Sequence, residues 1–260
     1  MDQPQWVARD QAVSRRVIFN GRIDKVVDYF GGASPFAGPQ AYLVEQRNYV
    51  LRPHFHPVDQ FQILYGAPGA LFGRWPVGGL VAHYADAHTV YGPLTGGDPP
   101  LRYFTLRAEP TQATEFMPES RALLPQRAGR SLHRELGPAA GDAGPAAAAS
   151  STLLEDERDG LWIGCTAGEP GAMISVPEAG PGGQFLFVVA GAVESAGAWY
   201  PPESIGWQPC GSGGWAGTAG SDGVRILVLR YPRRAGTGAR PAAPDTGQRP
   251  ARFRKGDDHE

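Results

Sequence analysis

The chain has 260 residues, a formal charge of -2 and 42% hydrophobic residues. That length can bury one large core or two small ones, and the near-neutral balance, with no basic stripe interleaved with aromatics, excludes nucleic acid and anionic membrane as main partners. Its 36 glycines and 25 prolines punctuate short apolar runs, which favours a turn-rich all-β protein over a helical one.

In chain order, the N-terminal stretch "MDQPQWVARDQAVSRR" has no apolar h-region and no cleavage site, so it does not read as a signal peptide. Strands are expected at 41–46, 48–55, 60–66 and 101–108, with turns at "GAPG" (66–69) and "GPLTGGDPP" (92–100). The best helix candidate is 111–125. "GPAAGDAGPAAAASS" (137–151) has almost no core-forming side chains and reads as an exposed, flexible linker. Strands resume at 160–165, 172–176, 184–191 and 224–232. Beyond Pro232 the chain turns to Arg, Gly, Pro and Asp, the composition of a disordered tail. No apolar run approaches the ~20 residues that span a bilayer. Cys165 and Cys210 are the only cysteines. Two isolated thiols suit a reducing cytoplasm, and whether they pair is open.

The two halves read as copies. "QFQILYG" at Gln60 aligns with "QFLFVVAG" at Gln184, 124 residues on, and "LRYFTLRA" aligns with "VRILVLRY" through Arg102 and Arg225, 123 residues on. Two segments about forty residues apart that keep nearly the same offset point to a duplicated unit.

Chemistry concentrates in "RPHFHPVDQFQILYG" (52–66). His54 and His56 stand one residue apart, so in a strand they project to one face. A turn at Pro57 brings Gln60 beside them. His83 and His88 follow within 35 residues of His54 and are rival sources of a third imidazole, while His133 and His259 lie in the linker region and the tail. Imidazole clusters of this kind bind Fe, Zn, Ni or Mn and leave positions open for water or substrate. Asp59 and Asp86 read as turn residues. Tyr65, Tyr91 and Tyr103, with His83, are candidate pocket residues. Trp207 and Trp215 are ambiguous between pocket and core. No GxSxG elbow, P-loop or dinucleotide fingerprint is present.

The spacing of His54, His56, Gln60 and Gly66 resembles the first motif of the cupin superfamily, G(X)5HXH(X)3,4E(X)6G, with glutamine in the acidic place. The second motif, G(X)5PXG(X)2H(X)3N, is matched less well, by His88 in "HYADAHTVYGPL" with Gly92 in the asparagine place. The resemblance implies an all-β fold of two tandem antiparallel jelly-roll barrels, a bicupin. An N-terminal arm (1–39) precedes a barrel at 40–125, a linker at 126–151, a second barrel at 152–232 and the tail (233–260). It implies a divalent transition metal held by His54, His56 and His88, with Gln60 as fourth ligand or orienter. In the second copy the places of His54 and His56 fall on Glu178 and Gly180, and that of His88 on Gly211, so the C-terminal barrel is expected to be metal-free. The implied function is a metal-dependent enzyme acting on a small organic substrate, apolar or aromatic, with oxygenase, isomerase, lyase, decarboxylase and cyclase all open. The alternative is a non-catalytic binding or structural bicupin. Oligomeric state is open.

Overall fold

A computed structural model describes residues 3–19, 22–31, 38–137 and 150–233. Nearly all of its regular structure is antiparallel strand, and the chain divides into two units, residues 13–135 and residues 1–12 with 136–235. In the first unit the apolar runs form a seven-stranded sheet. Its order is Ser131–Glu135, Leu80–Ala85, Gln60–Tyr65, Leu101–Arg107, Gln40–Gln46, Arg22–Phe30 and Val13–Phe19. A second sheet of four short strands (Tyr49–Leu51, Leu94–Gly96, Leu71–Phe72, Trp75–Pro76) and the pair His54–Phe55 with Glu115–Phe116 complete the jelly roll. Its interior is an apolar cluster that includes Leu51, Leu64, Phe72, Tyr91, Leu94 and Tyr103. Gly66 ends the Gln60–Tyr65 strand where any Cβ would lie 2.5 Å from the Val77 carbonyl oxygen, so the turn closes only on glycine.

The second unit is one eight-stranded sheet. Its spine is Ile205–Gln208, Gln184–Ser195, Trp215–Arg230 and Leu161–Gly168. The repeat is visible in its register. Phe61 pairs with Leu106 and Ile63 with Phe104 in the first unit. Phe185 pairs with Leu229 and Phe187 with Leu227 in the second, which are the same partners displaced by 124 and 123 residues. A bulge between Val188 and Ala190 is where the registers part.

Four expectations are corrected. The described residues of the expected arm (1–39) are largely strand: Gln5–Val7 pairs with Ile205–Gln208, and Val13–Phe19 and Arg22–Phe30 extend the first unit's sheet. The 48–55 strand is split at Arg52–Pro53, because Pro53 brings no N–H to a ladder. The 111–125 helix is replaced by the extended pair Glu115–Phe116 and a single 3-10 turn at Arg121–Leu123. Pro118 interrupts the segment, and pairing with His54–Phe55 outweighs a weak helical propensity. The start of the 126–151 linker is strand, Ser131–Glu135, paired to Leu80–Ala85. Residues 138–149 and 234–260 lie outside the described residues, and the expectations of a flexible linker and a disordered tail fall there. Both cysteines are free thiols, Cys165 buried and Cys210 exposed. Trp207 packs on Phe185, and the buried Trp215 donates to Gln3 Oε1 at 3.0 Å, so both serve the second unit's packing.

Candidate metal and ligand site

The site is built on the two-residue strand His54–Phe55. Alternation sends Phe55 to one face, fully buried, and His54 and His56 to the other. The chain that returns past them is 88–91. His54 N–H donates to the Tyr91 carbonyl at 3.1 Å, Tyr91 N–H donates to the His54 carbonyl at 3.0 Å, and His88 N–H donates to the His56 carbonyl at 2.7 Å. The register therefore sets Tyr91, not His88, directly opposite His54. The rings of His54 and Tyr91 are 4.5 Å apart, and those of His54 and His56 are 5.3 Å apart.

His88 sits at φ +58°, in the left-handed region, and its ring packs 5.7 Å from Phe55, on the face that His54 and His56 leave. It does not join the pair. Among the described residues no three His, Cys, Asp or Glu side chains converge to hold an ion. The expected set of three imidazoles is thus not assembled. His83 is fully buried, with its two ring nitrogens on Gln62 Oε1 (3.0 Å) and Ser131 Oγ (3.1 Å). It stacks at 4.6 Å on His133, which faces it across the paired strands. Tyr103 belongs to the barrel's apolar cluster. Tyr65 leaves the sheet on the side opposite Gln60, against Phe104. Asp59 caps Ala87 N–H and Asp86 binds Arg130, as turn residues do.

Hydrogen bonds fix the chemistry of the remaining four. Arg107 is the anchor, because a guanidinium only donates. Its Nε and Nη2 donate to Gln60 Oε1 at 3.1 and 3.0 Å, and its Nη1 donates to Gln40 Oε1 at 2.7 Å and to the Thr111 carbonyl at 3.3 Å. Gln60 must therefore turn its amide nitrogen to the other side, where it donates to Tyr91 Oη at 2.5 Å. His54 donates from Nδ1 to the Arg52 carbonyl at 2.8 Å, which leaves Nε2 as the acceptor of the Tyr91 hydroxyl at 2.9 Å. One directed chain results: Arg107 to Gln60 to Tyr91 to His54 to the main chain. His56 donates from Nδ1 to the Ala113 carbonyl at 2.6 Å and keeps the Nε2 lone pair for another partner.

Burial holds these groups neutral. Desolvation, opposed by the Arg52 carbonyl bond and reinforced by the Arg107 charge, brings His54 down to about 4. His56 is lowered well below its usual value by burial, then by Arg107 and His54. Burial likewise lowers His83 and raises the Tyr91 phenol. Two neutral imidazoles, each anchored through Nδ1 on a carbonyl, are the form in which histidine ligates a transition metal. Gln60 does not fit as a ligand: its oxygen is committed to Arg107, and the end that faces the histidines is an NH2 group.

Arg107 and Gln40 were not among the sequence-derived candidates. The signal was present, since "LRYFTLRA" and "VRILVLRY" carry arginine at their seventh as well as their second positions, Arg107 and Arg230.

No family model and no curated protein matches the chain. Solved structures do. A candidate dioxygenase from Nostoc punctiforme is 14% identical with a TM-score of 0.59, covering 90% of this chain and 85% of that one. The bacterial pirin YhhW from Escherichia coli, solved in complex with nickel(II), is 12% identical with a TM-score of 0.50, covering 88% and 99%. The 11S allergen of Cocos nucifera is 12% identical with a TM-score of 0.52, covering 90% of each. At these identities the likeness is one of fold, and the fold is the cupin jelly roll. No helix among the described residues is long and apolar enough to cross a membrane.

Proposed function

We propose that the N-terminal barrel is the site of a metal-dependent enzyme acting on a small organic molecule, with the ion on His54 Nε2 and His56 Nε2. The observation that carries this reading is the pairing of two buried, neutral imidazoles on one face, each tied by Nδ1–H to a carbonyl. A bound divalent ion would supply Lewis acidity or redox chemistry to a substrate oxygen. The chain's own residues do the rest. Phe116 and Tyr91 pack their rings on His54 and offer an aromatic wall to an apolar or aromatic substrate. Gln60, held by Arg107, donates to the Tyr91 hydroxyl, which in the ion-free protein donates to the His54 Nε2 lone pair that an ion would take.

The test is metal analysis of purified protein, followed by Fe, Zn, Ni and Mn titration of the stripped form. One equivalent should bind, and His54→Ala and His56→Ala should each lose it while keeping the fold by circular dichroism. A stripped protein that takes up none of the four ions rules the reading out.

A second reading, a metal-free barrel for an anionic ligand, is favoured by Arg107. It is 2% exposed and its hydrogen bonds to described residues all go to neutral oxygens, with the Tyr42 ring 5.6 Å away, so a bound carboxylate would supply a full counter-charge to a buried guanidinium. Under this reading small carboxylates raise the melting temperature of metal-stripped protein and divalent ions do not.

A further inference from the structure

We infer that Tyr91 is the third protein ligand of this centre, binding through its phenolate oxygen in the role that the cupin pattern gives to a histidine. The inference rests on the metal reading above and deepens it. Its basis is register. Two main-chain hydrogen bonds hold Tyr91 opposite His54, so both side chains enter the barrel on one face. Tyr91 Oη lies 2.9 Å from His54 Nε2. Two donor atoms that share an ion at ~2.1 Å each, at right angles, stand about 3 Å apart. The His56 ring lies 5.3 Å from that of His54 and 6.2 Å from that of Tyr91, beside the pair.

Gln60 supports this role better than it supports ligation. Arg107 leaves the Gln60 amide no orientation except N–H toward Tyr91 Oη. A fixed donor on that oxygen stabilises negative charge there. It also explains why a glutamine stands where a carboxylate would be usual. A carboxylate beside Tyr91 Oη would repel a phenolate, and the amide donates to it. Two imidazoles and one phenolate form a three-donor set that carries a single negative charge.

The step balances without oxidant or reductant. In the ion-free protein the Tyr91 proton is donated to His54 Nε2. When the ion binds, the metal–oxygen and metal–nitrogen bonds replace that hydrogen bond, and the proton leaves to solvent. Each ion bound releases one proton, the phenol's, since each imidazole already holds its single proton on Nδ1 against a carbonyl.

The test loads stripped full-length protein with Fe(III) and, separately, Cu(II), and reads the visible spectrum for a phenolate-to-metal charge-transfer band. Proton release on Zn binding is measured in weakly buffered solution at pH 7.5. Wild type should show the band and release one proton per Zn. Tyr91→Phe should lose both and bind Zn 10- to 100-fold more weakly. Tyr91→His should bind Zn as wild type does, without the band and without the proton, which separates ligation from damage to the fold. Zn bound by wild type with neither band nor proton overturns the inference and leaves the metal reading standing. No ion bound by wild type overturns both.

Discussion

The two barrels keep the same glutamine–arginine pair and cover it differently. In the N-terminal barrel Arg107 donates from Nε to Gln60 Oε1 at 3.1 Å, and in the C-terminal barrel Arg230 donates from Nε to Gln184 Oε1 at 3.2 Å. The residues correspond through the repeat, and each glutamine heads a central strand beside the last residue of its partner. Above Gln60 lie Tyr91, His54 and His56. Gln184 instead donates to the Pro177 carbonyl and to Gln208 Oε1. Gly180, which stands in the place of His56, is filled by the Arg230 side chain: a Cβ there would meet Arg230 Cδ at 2.5 Å. The pair is therefore scaffold of the repeated unit, and the histidines with Tyr91 are what one copy adds to it. Gln60 belongs to the scaffold first, which is why its oxygen is not offered to an ion.

The largest expected difference follows from burial. Arg107→Met strands the oxygens of Gln40 and Gln60 in a dry interior and should cost about 3–5 kcal/mol in urea unfolding of the N-terminal barrel. Arg230→Met, at a half-exposed site, should cost about 1 kcal/mol. Equal costs would show that the two pairs do the same job.

Acid should separate the barrels next. All histidines of the described residues lie between 54 and 133, and none falls between 136 and 235. The folded His54 pKa is about 4, below the unfolded 6.5, so the unfolded chain binds the proton first. The stability this group contributes is complete above pH 6.5 and is lost as pH falls toward 4, about 3 kcal/mol from His54 alone, with His56 and His83 adding in the same direction. In metal-stripped protein, exchange-protection profiles between pH 7.5 and 4.5 should show residues 40–107 opening while 161–230 stays closed. Simultaneous opening would break the comparison.

Gln60→Glu places a carboxylate on Arg107 and should stabilise the N-terminal barrel by about 1–2 kcal/mol, whereas Gln184→Glu, which sets a buried oxygen against the Pro177 carbonyl and Gln208 Oε1, should destabilise by about 1–3 kcal/mol. Thermal melts distinguish them, and destabilisation by Gln60→Glu would mean that Arg107 already has its counter-charge. The smallest effect is Gly180→Ala. It displaces the Arg230 side chain, loosening its bonds to the Glu178 carbonyl and to Gln184 Oε1, and should cost about 0.5–1 kcal/mol.

Much of the fold could be read from the chain. The strands around Gln60, Leu101, Gln184 and Arg225 announced themselves as apolar runs between glycines and prolines, and their near-constant offset announced the repeat before any register was known. The Leu80–Ala85 strand and the paired strands before residue 31 went unread, since their apolar content is diluted by polar residues whose burial depends on partners elsewhere in the chain. In the site, His54 and His56 shared a face by alternation alone.

What sequence alone determined is whatever depends on neighbours: the common face of His54 and His56, the turn at Pro57 and the head position of Gln60 on its strand. Tertiary structure decided what depends on distant partners. One residue in the left-handed region, His88, breaks the alternation that motif spacing assumes, and pairing across 37 positions then puts Tyr91 opposite His54. The direction of the Gln60 amide was decided 47 residues away, by an arginine that can only donate. A side chain's face follows from the period of its own strand. Its partner follows from register and hydrogen-bond polarity, which exist only once the sheet has closed.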